Sequence, residues 1–423
     1  MLRAWHYFAL ETVNVIGPSA DILANALRRE ENGNWYGAGE KYLQLFADLD
    51  DQGDPLTRAR VMAKAACSFE TAVQPRPAAA AFVVAAQILE RTQNMPALTA
   101  ELFNRAAVAY ASVGEFFAAA MNWRACASAF ERVEASVINC SENWGPLPNA
   151  ALKSHLVGLC FEASANVAEK AKGQEMSAVC AYWEAGRAYG SGIPNIQTYW
   201  AYRNALLSSI RYYGTLSIER LRTILPLTPA ERAEMLNPVE VMERALSWCN
   251  EHHQPTPGPS RVASLQTRRE LAAAYHSFTV GLTGIGNLTE ASTYRVKQHD
   301  LNRRIFIAEH NYFSAAMYWV WKLTANYGES LGRWFFSCLA TLFLFCILFC
   351  ITGSIGPVTH TFDYLYFSTI TFSTLGYGDI HPISTIGQVL SCLEVCSGFL
   401  MFGILLTLTA VQNSVFRSGR MLI

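Results

Sequence analysis

The sequence predicts an all-α fold in two parts: an array of paired helices, then a membrane domain in which two spanning helices flank a short re-entrant helix. Residues 1 to about 330 are Ala-rich and carry mixed charges, whereas residues 334–412 carry almost no charge. In the first part, Ala and aromatic residues recur at the spacing of one helix face. We therefore expect an α-helical solenoid at residues 1–300, a linker or interfacial helix at 301–333, the membrane domain at 334–412 and a short tail at 413–423.

Small and aromatic residues at fixed offsets support the helical-repeat prediction. Within residues 103–133, their spacing resembles a tetratricopeptide helix-turn-helix unit, in which small residues let paired helices pack closely. The residues concerned are Tyr110, Gly114, Phe116, Ala119 and Trp123. Weaker echoes lie at residues 185–205 and 271–295, and Trp35 begins an earlier candidate pair. Because these repeats are irregular, the sequence predicts an α-solenoid, of which a tetratricopeptide-like array is one form.

Composition and motifs argue against several classes of function. The formal net charge is −1, and nucleic-acid-binding proteins usually carry a basic stripe. The 11 cysteines are scattered without metal-ligand spacing, which favours reduced thiols. No phosphate-binding glycine loop, EF-hand or zinc-protease motif occurs. We therefore expect neither an enzyme nor a cofactor, although a solenoid offers a surface for a peptide, protein or small-molecule ligand.

The predicted linker, residues 301–333, mixes basic with aromatic side chains. Arg304 and Lys322 share this segment with Tyr312, Phe313 and Trp319. Such a mixture suits a helix that lies on a membrane surface. The last helix pair of the solenoid is the alternative, and the sequence leaves both open.

Two apolar segments are predicted to cross a membrane. Residues 334–352 form an uncharged stretch of 19 residues, and about 20 residues are needed to cross roughly 30 Å of hydrocarbon. A buried core helix is the alternative, but core helices normally keep a polar stripe, which this segment lacks. The second segment, residues 383–412, carries one ionisable side chain, Glu394, and is long enough to cross with a tilt.

The distribution of basic residues predicts the orientation. Lys322 and Arg333 precede the first apolar segment, Arg417 and Arg420 follow the second, and residues 353–382 between them contain no Lys or Arg. Basic residues are enriched on the cytoplasmic side of membrane proteins. The N-terminus also lacks the continuous apolar stretch of a secretory signal. We therefore expect a multi-pass protein of the plasma (cell inner) membrane with both termini in the cytoplasm.

The segment between the two apolar stretches contains a hydroxyl-rich stretch and a glycine motif. Residues 361–373 are too short and too hydroxylated to span, which fits a re-entrant helix with Thr361 or Asp363 near its N-terminus. The run TLGYGD follows at residues 374–379. Successive backbone carbonyls in such a run can replace the hydration shell of a potassium ion, and glycines let the chain turn them toward one axis.

These features together resemble the two-transmembrane, single-pore potassium channel domain. The resemblance covers residues 334–412 and rests on the TFSTLGYGD run at residues 371–379, on Pro382 and on glycines at 398 and 403. It implies that carbonyls along the run bind K⁺ as the only metal, with the Thr374 hydroxyl closing the innermost site. The K⁺-coordinating residues would be Thr374, Leu375, Gly376, Tyr377 and Gly378. Asp379 would form a ring of four carboxylates at the outer mouth.

Two residues depart from the common pattern, one within the run and one in the helix before it. Leu375 stands where valine is commonest, which changes little because its carbonyl does the coordinating. Ile370 stands where some relatives carry a glutamate. Support for the run must then come from other contacts, such as Tyr366 reaching Asp379.

Several residues of the second apolar segment are candidates for support or gating. Glu394 is an intramembrane carboxyl, for which a packing and hydrogen-bonding role competes with a direct ion or proton role. Gly398 suits either a hinge or close packing. Phe402, Leu406 and Ala410 recur every four residues, so they form either a cavity lining with an apolar gate or a lipid-facing stripe.

The resulting functional prediction is a homotetrameric, potassium-selective channel in the lipid bilayer, because one run per chain supplies a quarter of a carbonyl ring. No apolar segment contains a ladder of Arg or Lys, so steep voltage gating is not expected. Because only a short tail follows the second span, gating is expected through the N-terminal cytosolic part, by an unknown ligand or partner. The alternatives are a membrane-tethered interaction scaffold and a weakly selective cation channel.

Overall fold

A computed structural model describes residues 13, 19–49, 54–92, 95–134, 149–191, 196–225, 227–234, 237–252 and 261–420. Helices form almost all of its regular structure, so the predicted all-α class is confirmed. The chain separates into two compact units, residues 1–259 and residues 260–423. The predicted boundary near residue 300 lies inside a helix of the second unit.

The first unit is an array of helices in which each long helix packs on the next one along the chain. Contacts restricted to sequence neighbours are characteristic of solenoids, and the predicted N-terminal helical-repeat array is confirmed. The helices are α1 Ser19–Glu31, α2 Trp35–Asp48, α3 Pro55–Thr71, α4 Pro75–Thr92, α5 Pro96–Ser112, α6 Phe116–Glu131, α7 Asn149–Ala168, α8 Glu175–Ser191, α9 Ile196–Tyr213, α10 Ile218–Ile224, α11 Pro229–Glu234 and α12 Pro238–His252.

A recurring turn joins successive helices of the first unit. Gly33, Val73 and Gly114 have φ angles of +73°, +56° and +79°, and they lie 40 and 41 residues apart. In each turn the next N–H bonds back to the carbonyl five residues earlier, at 2.8, 2.8 and 3.0 Å. This is the geometry with which a left-handed residue ends a helix. The spacing exceeds the roughly 34 residues of a tetratricopeptide repeat, so that finer assignment stays a prediction.

Close packing in the array depends on glycines that receive an aromatic ring. A Cβ at Gly158 would lie 2.5 Å from the ring of Tyr189 on the next helix, and one at Gly186 would lie 2.6 Å from the ring of Tyr202. The phenol of buried Tyr189 donates to Glu162 at 2.6 Å. Each pair of helices is therefore fixed by ring packing, and in the first case also by a hydrogen bond.

The second unit begins with a helix pair and ends with the two apolar helices. Helix α13 packs on α14, α14 on α15, and α16 on both α17 and α18. The elements of the second unit are α13 Arg261–Gly284, α14 Leu288–Ala308, α15 Tyr312–Ala325, a 3₁₀ turn Asn326–Gly328, α16 Leu331–Thr352, β1 Ile355–Gly356, α17 Phe362–Phe372, β2 His381–Pro382 and α18 Thr385–Arg420.

A two-residue antiparallel ribbon joins the ends of α16 and α18. Ile355 pairs with Pro382, and Gly356 pairs with His381. The Ile383 N–H adds a bond of 2.9 Å to the carbonyl of Ser354. The ribbon therefore brackets residues 357–380, so the segment between the helices leaves and returns at one place.

Two helices are long and apolar enough to cross a membrane. They are α16 and the stretch Thr385–Leu406 of α18, and 11% of the apolar window of each is buried within the protein. A core helix of a soluble protein would meet the same criteria of length and composition, but it would be mostly buried. The predicted span at 334–352 lies within α16, and the one at 383–412 overlaps α18, which begins two residues later, at Thr385.

Candidate functional site

The segment bracketed by the ribbon is built on the short helix α17. Asp363 lies in its first turn and accepts the backbone N–H groups of Thr359 and His360 at 2.6 and 2.8 Å. These bonds tie the two residues that precede the helix to its first turn. One helical turn farther along, the ring of Phe367 meets Phe349 of α16 edge-on, with centroids 5.0 Å apart. Helix α17 is thus tied to the chain that precedes it and packed against α16.

Residues 374–379 follow α17 and have an alternating backbone; we call them the filter loop after the role that the sequence predicts for them. The φ angle is positive at Thr374 (+59°), Gly376 (+53°) and Gly378 (+82°), and neither Leu375 nor Tyr377 has a positive φ. A backbone that alternates between left- and right-handed conformations turns successive peptide groups toward the same side, as in anion- and cation-binding loops. In a β-strand, by contrast, successive carbonyls point in opposite directions.

Hydrogen bonds anchor both ends of the filter loop. The N–H groups of Leu375 and Gly376 bond to the carbonyl of Ile370 at the end of α17, at 2.8 and 3.3 Å. The phenol of Tyr366 donates to Asp379 Oδ2 at 2.8 Å, so the structure contains the contact suggested for these two residues. Within the described parts of the chain, no hydrogen bond ends on a carbonyl of residues 374–378. Those oxygens are available to a ligand.

The filter loop lies on the surface of the single chain. The side chains of Leu375 and Tyr377 are 60% and 68% exposed. Large apolar side chains exposed side by side mark a surface that associates with something else. The loop is therefore a candidate surface of association.

Behind the loop, Glu394 of α18 is fully buried and contacts α17 directly. The Ser368 hydroxyl makes a short hydrogen bond with Glu394 Oε1, and it also lies 2.9 Å from the carbonyl of Leu342 on α16. Glu394 Oε2 is buried without a hydrogen-bond partner in the described residues. One serine hydroxyl thus joins three helices behind the filter loop.

Glycines allow α18 to approach its neighbours at two points. A Cβ at Gly398 would clash with the carbonyl oxygen of Phe372, at the end of α17. A Cβ at Gly387, a glycine that belongs to no recognisable motif, would clash with the carbonyl oxygen of Ser354, beside the ribbon. Around Gly403, by contrast, no atom lies within 4 Å of the added Cβ. In the sequence, Gly387 is simply a glycine near the start of a helix. Such a position also fits a capping role, so the sequence alone does not indicate the close approach to Ser354.

The candidate gate residues lie farther along α18. Phe402 and Leu406 are 56% and 55% exposed on the single chain, and the side chain of Ala410 lies outside the described residues. Exposure on one chain fits a cavity lining and a lipid-facing stripe equally well, so both interpretations of these three residues stay open.

Comparison with known proteins gives a match at the end of the chain that holds these helices. Residues 334–414 match a family model described as an ion channel. No curated protein matches the chain. The match covers both apolar helices and the filter loop, and it supports an ion-channel domain in a membrane at this end of the chain. Across the described ranges, no cluster of three or more His, Cys, Asp or Glu side chains could hold a metal ion.

Proposed function

We propose that this protein is a potassium-selective channel in which four chains surround one pathway. The observation that supports this most directly is the filter loop, whose alternating backbone faces carbonyls without internal partners toward one side. Rings of such carbonyls replace the hydration shell of K⁺. One chain supplies one wall, and a cyclic tetramer closes the ring.

The proposed pathway runs between both sides of the plasma (cell inner) membrane, with both termini cytoplasmic. Lys322 and Arg333 precede the apolar stretch of α16 and favour a cytoplasmic position for that end, and the lack of Lys or Arg in residues 353–382 favours a position outside for the filter loop. Asp379 then lies at the outer mouth, where four carboxylates attract cations. Movement of K⁺ down its gradient needs no cofactor and no chemical step.

Ion flux into liposomes tests this proposal. The full-length protein, reconstituted in vesicles loaded with KCl, is expected to take up Rb⁺ and to exclude Na⁺. In a matched variant, Gly376→Ala, the side chain opposes a φ of +53°, so Rb⁺ uptake should fall strongly. Equal uptake of Rb⁺ and Na⁺ would favour the weakly selective channel, and no uptake in any condition would favour the scaffold.

We propose that the helical array of the first unit controls the pathway by binding a ligand or partner. A cavity of about 450 Å³ opens between α3 and α5. Arg105 lies beside Glu70 at 3.2 Å in its wall, and burial raises the pKa of nearby Glu101. Charged groups in an apolar cavity give a ligand both affinity and orientation. If the open probability of a variant lacking residues 1–259 equals that of the whole protein under all conditions, this control does not operate.

A further inference from the structure

One side of helix α15 is apolar, exposed and free of charge. At 100° per residue, its exposed residues cover roughly 160° of the helix circumference. Phe313, Leu323 and Trp319 are 79%, 61% and 54% exposed. We call this surface the outer face of α15. Its members are Tyr312, Phe313, Ala316, Met317, Trp319, Val320 and Leu323.

The opposite side of α15 is fully engaged with α14, which fixes the orientation of the outer face. The ring of Trp321 lies 4.9 Å from that of His299, and Lys322 Nζ lies 2.7 Å from both carboxylate oxygens of Asp300. Rotating the outer face inward would break these contacts. The contacts with α14 therefore keep this face exposed on the single chain. An apolar face of this size marks a site of association.

The position of α15 along the chain identifies what covers this face. Only residues 326–330 separate α15 from α16, and the Ser337 hydroxyl of α16 donates to the Thr324 carbonyl at 3.1 Å. In the second turn of α16, Phe335 and Phe336 are also exposed, at 54% and 70%. The outer face thus lies directly before a helix that the proposed function places in the bilayer.

We propose that the outer face of α15 binds the lipid surface, lying at the boundary between headgroups and acyl chains on the cytosolic side. Trp and Tyr prefer this boundary because their rings are apolar with one polar atom, and Phe, Leu and Met bury apolar area in the acyl layer. The proposal rests on the proposed function only in that α16 spans the membrane. Its consequence is that α15 connects the bilayer surface to α14 through Asp300, so lipid composition and the helix pair α13–α14 both act on α16.

Site-specific photocrosslinking in the full-length protein tests the partner. The photoreactive residue p-azidophenylalanine replaces Phe313 in one variant and Tyr318, which packs on the α14 side 5.8 Å from His299, in a matched control. Both are reconstituted in phosphatidylcholine–phosphatidylglycerol vesicles, illuminated and analysed by mass spectrometry. We expect lipid adducts at position 313 at several-fold the yield found at position 318. Adducts to a second copy of the chain at position 313, or solvent adducts alone, would each overturn the proposal.

Rubidium uptake in the same vesicles separates this proposal from the proposed function. Photoadducts form whether or not ions move. Lipid adducts without Rb⁺ uptake would therefore contradict the transport function and leave the lipid-binding face in place. Rb⁺ uptake without lipid adducts would contradict the lipid-binding face alone.

Discussion

Gly398 is the residue at which α18 touches the end of α17, and its missing side chain has a testable consequence. An added Cβ would meet the carbonyl oxygen of Phe372, a backbone atom that cannot rotate away. We expect Gly398→Ala to displace the end of α17 and to cost about 1–3 kcal/mol, as overpacking does. The midpoint of thermal unfolding should fall, and uptake of Rb⁺ relative to Na⁺ should fall with it, because Ile370 of α17 anchors the filter loop.

Gly403, on the same helix, is the matched control for this experiment. Its added Cβ would meet no atom within 4 Å, and alanine favours a helix by up to about 1 kcal/mol over glycine. Gly403→Ala is therefore expected to be neutral or stabilising. A hinge at Gly398 without close packing would make the two variants differ in open probability while their unfolding midpoints stay equal.

The hydrogen bond between Ser368 and Glu394 supports a prediction about stability. Ser368→Ala leaves the buried carboxyl of Glu394 without a hydrogen-bond partner, so we expect a loss of about 1–3 kcal/mol. Replacing both groups by apolar residues, Glu394→Leu with Ser368→Ala, should restore much of that loss, because no buried polar group is then unpaired. Glu394→Gln should stay close to wild type, since its amide can donate to Ser368. Thermal unfolding in detergent compares the four proteins; a double variant no more stable than Ser368→Ala contradicts this account.

At the scale of elements, the turns show what a single sequence can and cannot predict. Gly33 and Gly114 carry a local signal, because glycine readily adopts the positive φ that ends a helix. Val73 and His310 adopt the same conformation without being glycine, so the sequence makes the repeat look less regular than it is. The ribbon of Ile355 with Pro382 likewise pairs residues on either side of α17 and the filter loop, and has no local pattern.

The candidate site was more predictable than the array for a physical reason. The filter loop is a run of consecutive residues in which Gly376 and Gly378 adopt positive φ angles, so a local motif marks it. The supports behind it, such as Gly387 against Ser354, depend on pairs of residues that meet only in three dimensions. Tyr366 with Asp379 could be anticipated because the two lie on either side of one short turn.

The link between α14 and α15 supports a prediction about stability. Asp300 accepts Lys322 Nζ at 2.7 Å and the phenol of Tyr327 at 2.8 Å. Asp300→Asn removes a charge that both donors face. Because the Asp300 and Lys322 side chains are 28% and 36% exposed, we expect a modest loss of about 1–2 kcal/mol. Arg269→Gln, which breaks a pair with Glu309 whose arginine is 55% exposed, is the control and should cost less in the same thermal assay.

The same link predicts a dependence on pH. Burial by itself would raise the pKa of Asp300, but the hydrogen bonds from Lys322 and Tyr327 outweigh burial and hold its pKa below the ordinary value. A depressed pKa means that the stabilisation is fully present above the ordinary value of about 3.9 and is lost as the pH falls through the depressed one. The difference in unfolding midpoint between wild type and Asp300→Asn should therefore be constant near neutral pH and shrink in acid. A difference that grows in acid is the contrary result.

At the scale of the whole molecule, the proposed tetramer makes a prediction about the number of chains around the pathway. The exposed filter loop of one chain provides one wall, and the proposed tetramer supplies four. Every chain must then contribute an intact loop for ions to pass. A chain with a damaged loop should disable any assembly that it joins.

Mixing wild-type chains with Gly376→Ala chains measures how many chains surround one pathway. When the two are coexpressed in equal amounts and assemble at random, only about one sixteenth of tetramers contain four intact loops. Rubidium uptake per reconstituted protein should therefore fall to about that fraction of the wild-type value. A dimer would retain about one quarter and an independent chain about one half. Differently tagged chains that copurify in equal amounts control for random assembly, since a variant that fails to assemble would leave uptake near one half for a trivial reason.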